Sequence, residues 1–352
     1  KGFSICHWNN YGCRRWDDNA IARMLNPYTS NEIGQSGIFL TQLGLGGVLV
    51  GMDSHTSESD SVQTVKTALG SGINYIDTSP FYGHGLSEQR LAIALEGIPK
   101  SSYVISSKVG RILVPDKNPE STFFDHAPFR PVFDFSYDGV MKSFESSLSR
   151  LGISSIDILY IHDIDRSEFS FREAMNGAVV ALNELREQKI IGAWGTGLNV
   201  NDWTSHFIEY ANPDICLLAG RYTLLDQTAL LETLPIMESH GIKMVIGGPF
   251  NSGILASNLS KGATFNYEKA APEMLAKARK IKKLCDEFSV PLKAASLQFP
   301  MHHPAVISII PGARKSQEVL ENIELFQIEI PNNFWQALRE SSLIDPNSVL
   351  PV

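Results

Sequence analysis

The 352 residues carry 38 acidic and 30 basic side chains, a formal charge of −8, with 43% hydrophobic and 19% charged residues. That balance is ordinary for a globular enzyme, and its sign sets aside nucleic acid and anionic membrane as main partners. Apolar runs fall short of the roughly 18 residues that a membrane-spanning helix requires.

The cysteines, Cys6, Cys13, Cys216 and Cys285, are too few and too scattered for a disulfide framework, so a reduced, cytoplasmic protein is the expectation. Residues 1–23 show no period of 2 or 3.6, and no apolar segment like that of a secretory signal. Residues 1–31 are therefore expected to be a poorly ordered extension ahead of a single domain over 32–352. A metal site from Cys6, His7 and Cys13 lacks a fourth ligand at a plausible spacing, and no metal is expected.

From residue 40, short apolar runs alternate with longer amphipathic ones. The runs fall at 40–50, 73–79, 103–110, 155–163, 190–198, 214–220, 243–249 and 305–312. Most are continuous rather than alternating, as in strands buried on both faces. Between them, Val140, Phe144, Leu148 and Leu151 mark a helix stopped by Gly152, and Phe171, Ala174, Ala178, Leu182 and Leu185 mark another. Further helical patterns cover 58–70, 86–96, 201–210, 226–240 and 316–325, with two more in 272–303 split by Pro291. Such alternation implies a parallel sheet. Eight units point to a closed (β/α)8 barrel, because no G-x-G-x-x-G opens a helix after an early strand and LGLGG at 43–47 is a weak match. The unpatterned stretch 111–135, rich in Pro and Phe, reads as an active-site loop.

Catalytic groups of a barrel sit at the carboxyl ends of its strands. Asp77, Lys108 and His162 end the second, third and fourth runs, and Tyr82 lies in the loop after the second. The set fits one chemical task. A phenol with a pKa of about 10 is a poor acid or base at neutral pH, an ammonium nearby favours its phenolate, and a carboxylate holds the ammonium. A histidine orients the substrate oxygen. The rival reading, a metal-dependent hydrolase built on His162-Asp163-Ile164-Asp165, finds no further ligands on the later strand ends.

GINYIDTSPFYGHGLSE (72–88), SSKVG (106–110), YIHD (160–163) and IIPGAR (309–314) resemble the aldo-keto reductases over about residues 32–330. The resemblance implies a catalytic tetrad of Asp77, Tyr82, Lys108 and His162 and hydride transfer to or from a nicotinamide bound without a Rossmann fold. LLAGRYTLLDQ (217–227), VIGGPFNSGILA (245–256) and LQFPMHHPAVISIIPGAR (297–314) are similar to the branch of aldose 1-dehydrogenases and pyridoxal 4-dehydrogenases. That similarity implies oxidation of a cyclic hemiacetal, an aldose at C1 or pyridoxal, to a lactone. A non-catalytic, nucleotide-binding regulatory subunit is the alternative of a different class.

For the cofactor the resemblance implies Asn199 at the carboxamide, the family's preceding serine being absent from GTGLN. Tyr222 would face the nicotinamide ring, and Pro249, Asn251, Ser252, Gly253 and Leu255 would line the pyrophosphate. Gly312, Arg314, Gln317, Glu318 and Asn322 would surround the adenosine end. NAD is expected over NADP, because Gly312 and Glu318 stand where relatives that use NADP carry basic residues.

Overall fold

The computed structural model describes residues 25–52, 56–121 and 123–351, so most of the expected N-terminal extension lies outside it. Each predicted apolar run contains one strand of an eight-stranded parallel sheet: β1 (Leu45–Gly46), β2 (Tyr75–Asp77), β3 (Val104–Val109), β4 (Ile158–His162), β5 (Ala193–Leu198), β6 (Ile215–Ala219), β7 (Lys243–Gly247) and β8 (Val306–Ile310). Neighbours in sequence are neighbours in the sheet, and parallel bridges from Leu43 to Ile309 and from Gly46 to Gly312 close β8 onto β1. The barrel expectation holds.

The outer layer is formed by α1 (Glu58–Gly70), α2 (Leu86–Leu95), α3 (Tyr137–Leu151), α4 (Ala178–Glu187), α5 (Asn201–Ala211), α6 (Thr233–His240), α7 (Pro272–Glu287), α8 (Leu292–Gln298), α9 (Ser316–Phe326) and α10 (Asn332–Glu340). Caps set several boundaries. Ser57 and Ser136 accept first-turn N–H groups of α1 and α3, and Gly152 ends α3 at φ 64°. The helix predicted across 171–185 is broken at Gly177, where a Cβ would lie 2.3 Å from the Phe135 carbonyl oxygen.

Three antiparallel hairpins were not legible in the sequence, a short one pairing Thr264–Phe265 with Glu268–Lys269 and two that stand at the barrel's ends. Ser30–Glu32 pairs with Phe39–Thr41, and Ile33 and Leu40 are fully buried in one cluster with Ile158, Ala193 and Ile215 from the first residues of their strands. This hairpin plugs the amino-terminal end of the barrel. The expected boundary at residue 32 therefore falls inside a strand that packs. The stretch read as a loop after β3 is largely a second hairpin, Arg111–Pro115 paired with Phe129–Phe133. Pro115 and Pro131 masked it, since proline weakens a strand signal.

Inside the barrel the filling changes from apolar to polar along the axis. Above the plug, the Tyr75 hydroxyl lies 3.0 Å from Ser106 Oγ and 3.2 Å from the Tyr160 hydroxyl, and Ser106 Oγ donates to Asp77.

Close approach of β5 and β6 depends on Gly195, where a Cβ would lie 1.5 Å from the Ile215 carbonyl oxygen. Gly195→Ala should cost about 2 kcal/mol or more and lower Tm by several degrees. Gly262→Ala, where a Cβ meets nothing within 4 Å, should stay within about 0.5 kcal/mol. Thermal unfolding of both variants checks this; equal Tm values would refute the packing argument.

Candidate active site

Asp77 and His162 are the last residues of β2 and β4, and Lys108 is the penultimate residue of β3, so the pleat and register bring three side chains to one end of the barrel. Tyr82 opens a short turn, Tyr82–Gly85, in which Gly83, His84 and Gly85 take φ of 61°, 52° and 99°. Glycine is required at 83, because a Cβ there would lie 2.0 Å from the Gly51 carbonyl oxygen.

The four expected side chains come together. Lys108 Nζ donates to Asp77 Oδ2 at 2.6 Å and to the Thr78 carbonyl at 2.8 Å, and Ser106 Oγ donates to Asp77 Oδ1 at 2.7 Å. Lys108 Nζ lies 4.7 Å from the centroid of the Tyr82 ring. The His162 ring stands perpendicular to that of Tyr82, with centroids 6.0 Å apart, and its Nδ1 is 3.2 Å from Ser79 Oγ.

Burial dominates the electrostatics. It raises the Asp77 carboxyl and lowers the Lys108 ammonium, and each group's attraction for the other opposes the shift. Burial, then the Asp77 charge, hold the Tyr82 phenol well above its ordinary range, and Arg111 opposes them. Lys108, the cation expected beside the phenol, stands at its ring while hydrogen-bonded to Asp77 and Thr78. Burial pushes His162 down to about 3, against the pull of Asp163, so the imidazole is neutral.

Arg111 and Asp163 were not among the expected residues. Arg111 Nη2 donates to Asp163 Oδ2 at 2.7 Å, Asn199 Nδ2 donates to Asp163 Oδ1 at 3.0 Å, and His162 Nε2 is 3.6 Å from Asp163 Oδ2. The signal was there to extend: YIHD already contains Asp163, and SSKVG stops one residue short of Arg111.

The expected cofactor residues divide. Asn199 lies at the barrel mouth, bound to Asp163. Tyr222 does not present a ring face: it has no exposed surface and packs against Phe299 and His303 at centroid distances of 5.3 and 5.5 Å. Its neighbour Arg221 is the partly exposed residue, bound to the Asn199 carbonyl and to Asp226. After β7, Pro249 is buried, Leu255 is wholly buried, and the Asn251 side chain is held between Thr223 and the Gly220 carbonyl. Those side chains build the loop, leaving its backbone to meet a ligand. Gly248, Asn251, Ser252 and Gly253 take φ of 57°, 45°, 57° and 93°, and a Cβ on either glycine would meet nothing within 4 Å. Open backbone of this kind suits phosphate oxygens. After β8, Gly312 precedes Arg314 and Gln317, which are exposed, and Glu318, which is half-buried, whereas Asn322 is 5% exposed. Because β7 and β8 are adjacent, their loops flank one edge of the mouth, and the residues present fit an elongated dinucleotide there.

A model of the "Aldo/keto reductase family" matches residues 42–342. A pyridoxal 4-dehydrogenase of Microbacterium luteolum is 41% identical over 91% of this chain and 99% of its own. A D-threo-aldose 1-dehydrogenase of a Pseudomonas species is 34% identical over 90% and 98%. The holo form of an aldo-keto reductase from Bacillus halodurans superposes with a TM-score of 0.73 at 20% identity, covering 90% of this chain and 97% of that one. The chain belongs to the aldo/keto reductase family and is a nicotinamide-dependent oxidoreductase.

Proposed function

We propose that the protein oxidises a cyclic hemiacetal to a lactone, with Asp77, Tyr82, Lys108 and His162 as the group that carries the reaction. The observation that supports this most is the buried Lys108–Asp77 pair at 2.6 Å beside the Tyr82 ring and the neutral His162. A bound nicotinamide supplies an acceptor for the anomeric hydrogen and its electron pair. The protein moves the proton: Tyr82, as phenolate, takes it from the anomeric hydroxyl as the carbon–oxygen double bond forms. Lys108 is locked by two hydrogen bonds and cannot drift from the phenol. A neutral His162 donates a hydrogen bond to the substrate oxygen without adding a charge that would hold the proton back. Asn199, the loop 248–253, Gly312, Arg314, Gln317 and Glu318 hold the dinucleotide.

An aldose and pyridoxal both offer such a ring. Phe81 and Phe123 pack at 4.7 Å beside the site, and Phe133 lies across the Arg111 guanidinium from it. Aromatic walls suit a planar fused ring, and the 41% relative is named for pyridoxal. The test is a panel of pyridoxal, L-fucose, L-galactose and D-arabinose, followed by reduced-nicotinamide absorbance and product mass. A product two hydrogens lighter than its substrate is expected. Faster reduction of simple aldehydes would overturn the reading.

Tyr82→Phe should reduce turnover about 10²- to 10⁴-fold with little change in dinucleotide affinity. Oxidation should also accelerate with rising pH, because the phenol is held above its ordinary value and only its ionised form accepts the proton. His162 titrates near 3 and contributes no limb at neutral pH. A pH–rate profile of His162→Gln should therefore be slower but keep its midpoint; a midpoint that moves would contradict the assignment.

NAD should be preferred to NADP. Glu318 accepts the Arg314 backbone N–H at 2.7 Å and lies 3.7 Å from its guanidinium, so the nearest cation is already matched. A carboxylate there repels a 2′-phosphate and accepts a ribose hydroxyl. The expected preference is about tenfold in kcat/KM, equivalent to about 1.4 kcal/mol of like-charge repulsion. Glu318→Arg should shift the ratio toward NADP; equal efficiencies in the unmodified enzyme would show that Lys315 outweighs Glu318.

A further inference from the structure

The first residue of the hairpin after β3 places a second cation in the site, beyond Lys108. Arg111 is 8% exposed. Its guanidinium carbon lies 3.9 Å from the Phe81 ring centroid and 4.5 Å from that of Phe133, so two aromatic faces hold it from opposite elements. Its charge is compensated by Asp163 through Nη2 at 2.7 Å. The Nε donor is buried and has no hydrogen-bond partner. A guanidinium carries five N–H donors in a fixed plane, and a buried donor without a partner is costly. Such a group calls for an explanation, and at the barrel mouth, beside the reacting groups, a bound ligand is one.

The position is specific. Phe81, which Arg111 covers, directly precedes Tyr82, and its ring centroid is 6.1 Å from that of His162. Asp163 Oδ2 is shared: it binds Arg111 and lies 3.6 Å from His162 Nε2. The hydrogen-bond donors that face the reacting oxygen and those of Arg111 are thus one carboxylate apart. A group that fills both sites carries a second oxygen within one or two atoms of the reacting carbon.

We propose that Arg111 is a specificity-determining residue that recognises an oxygen acceptor close to the reacting carbon of the substrate, on the next atom or the one beyond. This rests on the hemiacetal reading above, in which the oxygen is the ring hydroxyl of pyridoxal, two atoms from the reacting carbon, or the second hydroxyl of an aldose. The aromatic flanks keep the planar guanidinium dry, which strengthens each bond that it donates.

Binding to the NAD-loaded enzyme tests the proposal without turnover. Calorimetry compares 4-pyridoxolactone with its 3-deoxy analogue, and an aldonolactone with its 2-deoxy analogue. In one pair at least, loss of the oxygen should weaken binding to the unmodified enzyme about tenfold or more, as for a hydrogen bond to a charged donor, and that pair identifies the source of the oxygen. Arg111→Met should bring that pair within about twofold of each other. Arg111→Lys keeps the charge opposite Asp163 and loses the planar fork, so it should fold normally and narrow the gap at least about threefold. The proposal is overturned if both pairs bind the unmodified enzyme equally, if no lactone binds, or if the folded variants keep the gap. Discrimination by Arg111 in an enzyme that oxidises neither pyridoxal nor aldoses would instead defeat the hemiacetal reading and leave Arg111 as the recognition residue.

Discussion

The buried ion pair between Asp77 and Lys108 is the constraint on which the upper half of the barrel depends. Both side chains are within 3% of complete burial, and two isolated charges there would be unaffordable without compensation. Hydrogen bonds oppose that cost: Asp77 takes Lys108 on one oxygen and Ser106 on the other, and Lys108 also binds the Thr78 carbonyl. The Ser106 hydroxyl continues to Tyr75 and Tyr160. Interior polarity thus begins at the level of this network, above an apolar plug, and the catalytic end differs from the structural end for that reason.

A second buried pair, Arg111–Asp163, organises the mouth in a different way. It ties the hairpin after β3 to the end of β4 and, through Asn199, to the end of β5. The hairpin is also fastened to the Tyr82 turn: the Ala127 N–H binds the Gly83 carbonyl at 2.9 Å, and Arg90 binds Asp125 at 2.7 Å. The Tyr82 turn and the wall beside it are therefore coupled by charge and backbone bonds, so substitutions in the hairpin should reach the phenol without touching it. Lys108 stands 4.7 Å from the Tyr82 ring centroid, and Arg111 opposes the rise of the phenol.

Much of this protein was legible in its residues alone. Continuous apolar runs located all eight barrel strands, because a strand buried on both faces has no polar side to interrupt it. Gly152 marked a helix end, because caps act locally. The three side chains at strand ends, and Tyr82 in the turn after β2, were visible because their motifs are contiguous in sequence and the pleat dictates where the strand residues emerge.

What the tertiary structure alone decided was contact across distance. Two hairpins of ordinary or proline-bearing composition pair only because the barrel offers them an end to plug and a mouth to wall. Tyr222, aligned with a ligand-facing residue, is instead packed against Phe299 and His303, a fate set by residues some 80 positions away. The same holds for the charges. Sequence named Lys108 as the cation beside Tyr82, but the second cation near the phenol, Arg111, is brought there by a hairpin pairing and an ion pair that no spacing encodes. Residue types and periodicity determined the architecture and the reactive groups; burial and long-range packing determined which of those groups are free to act.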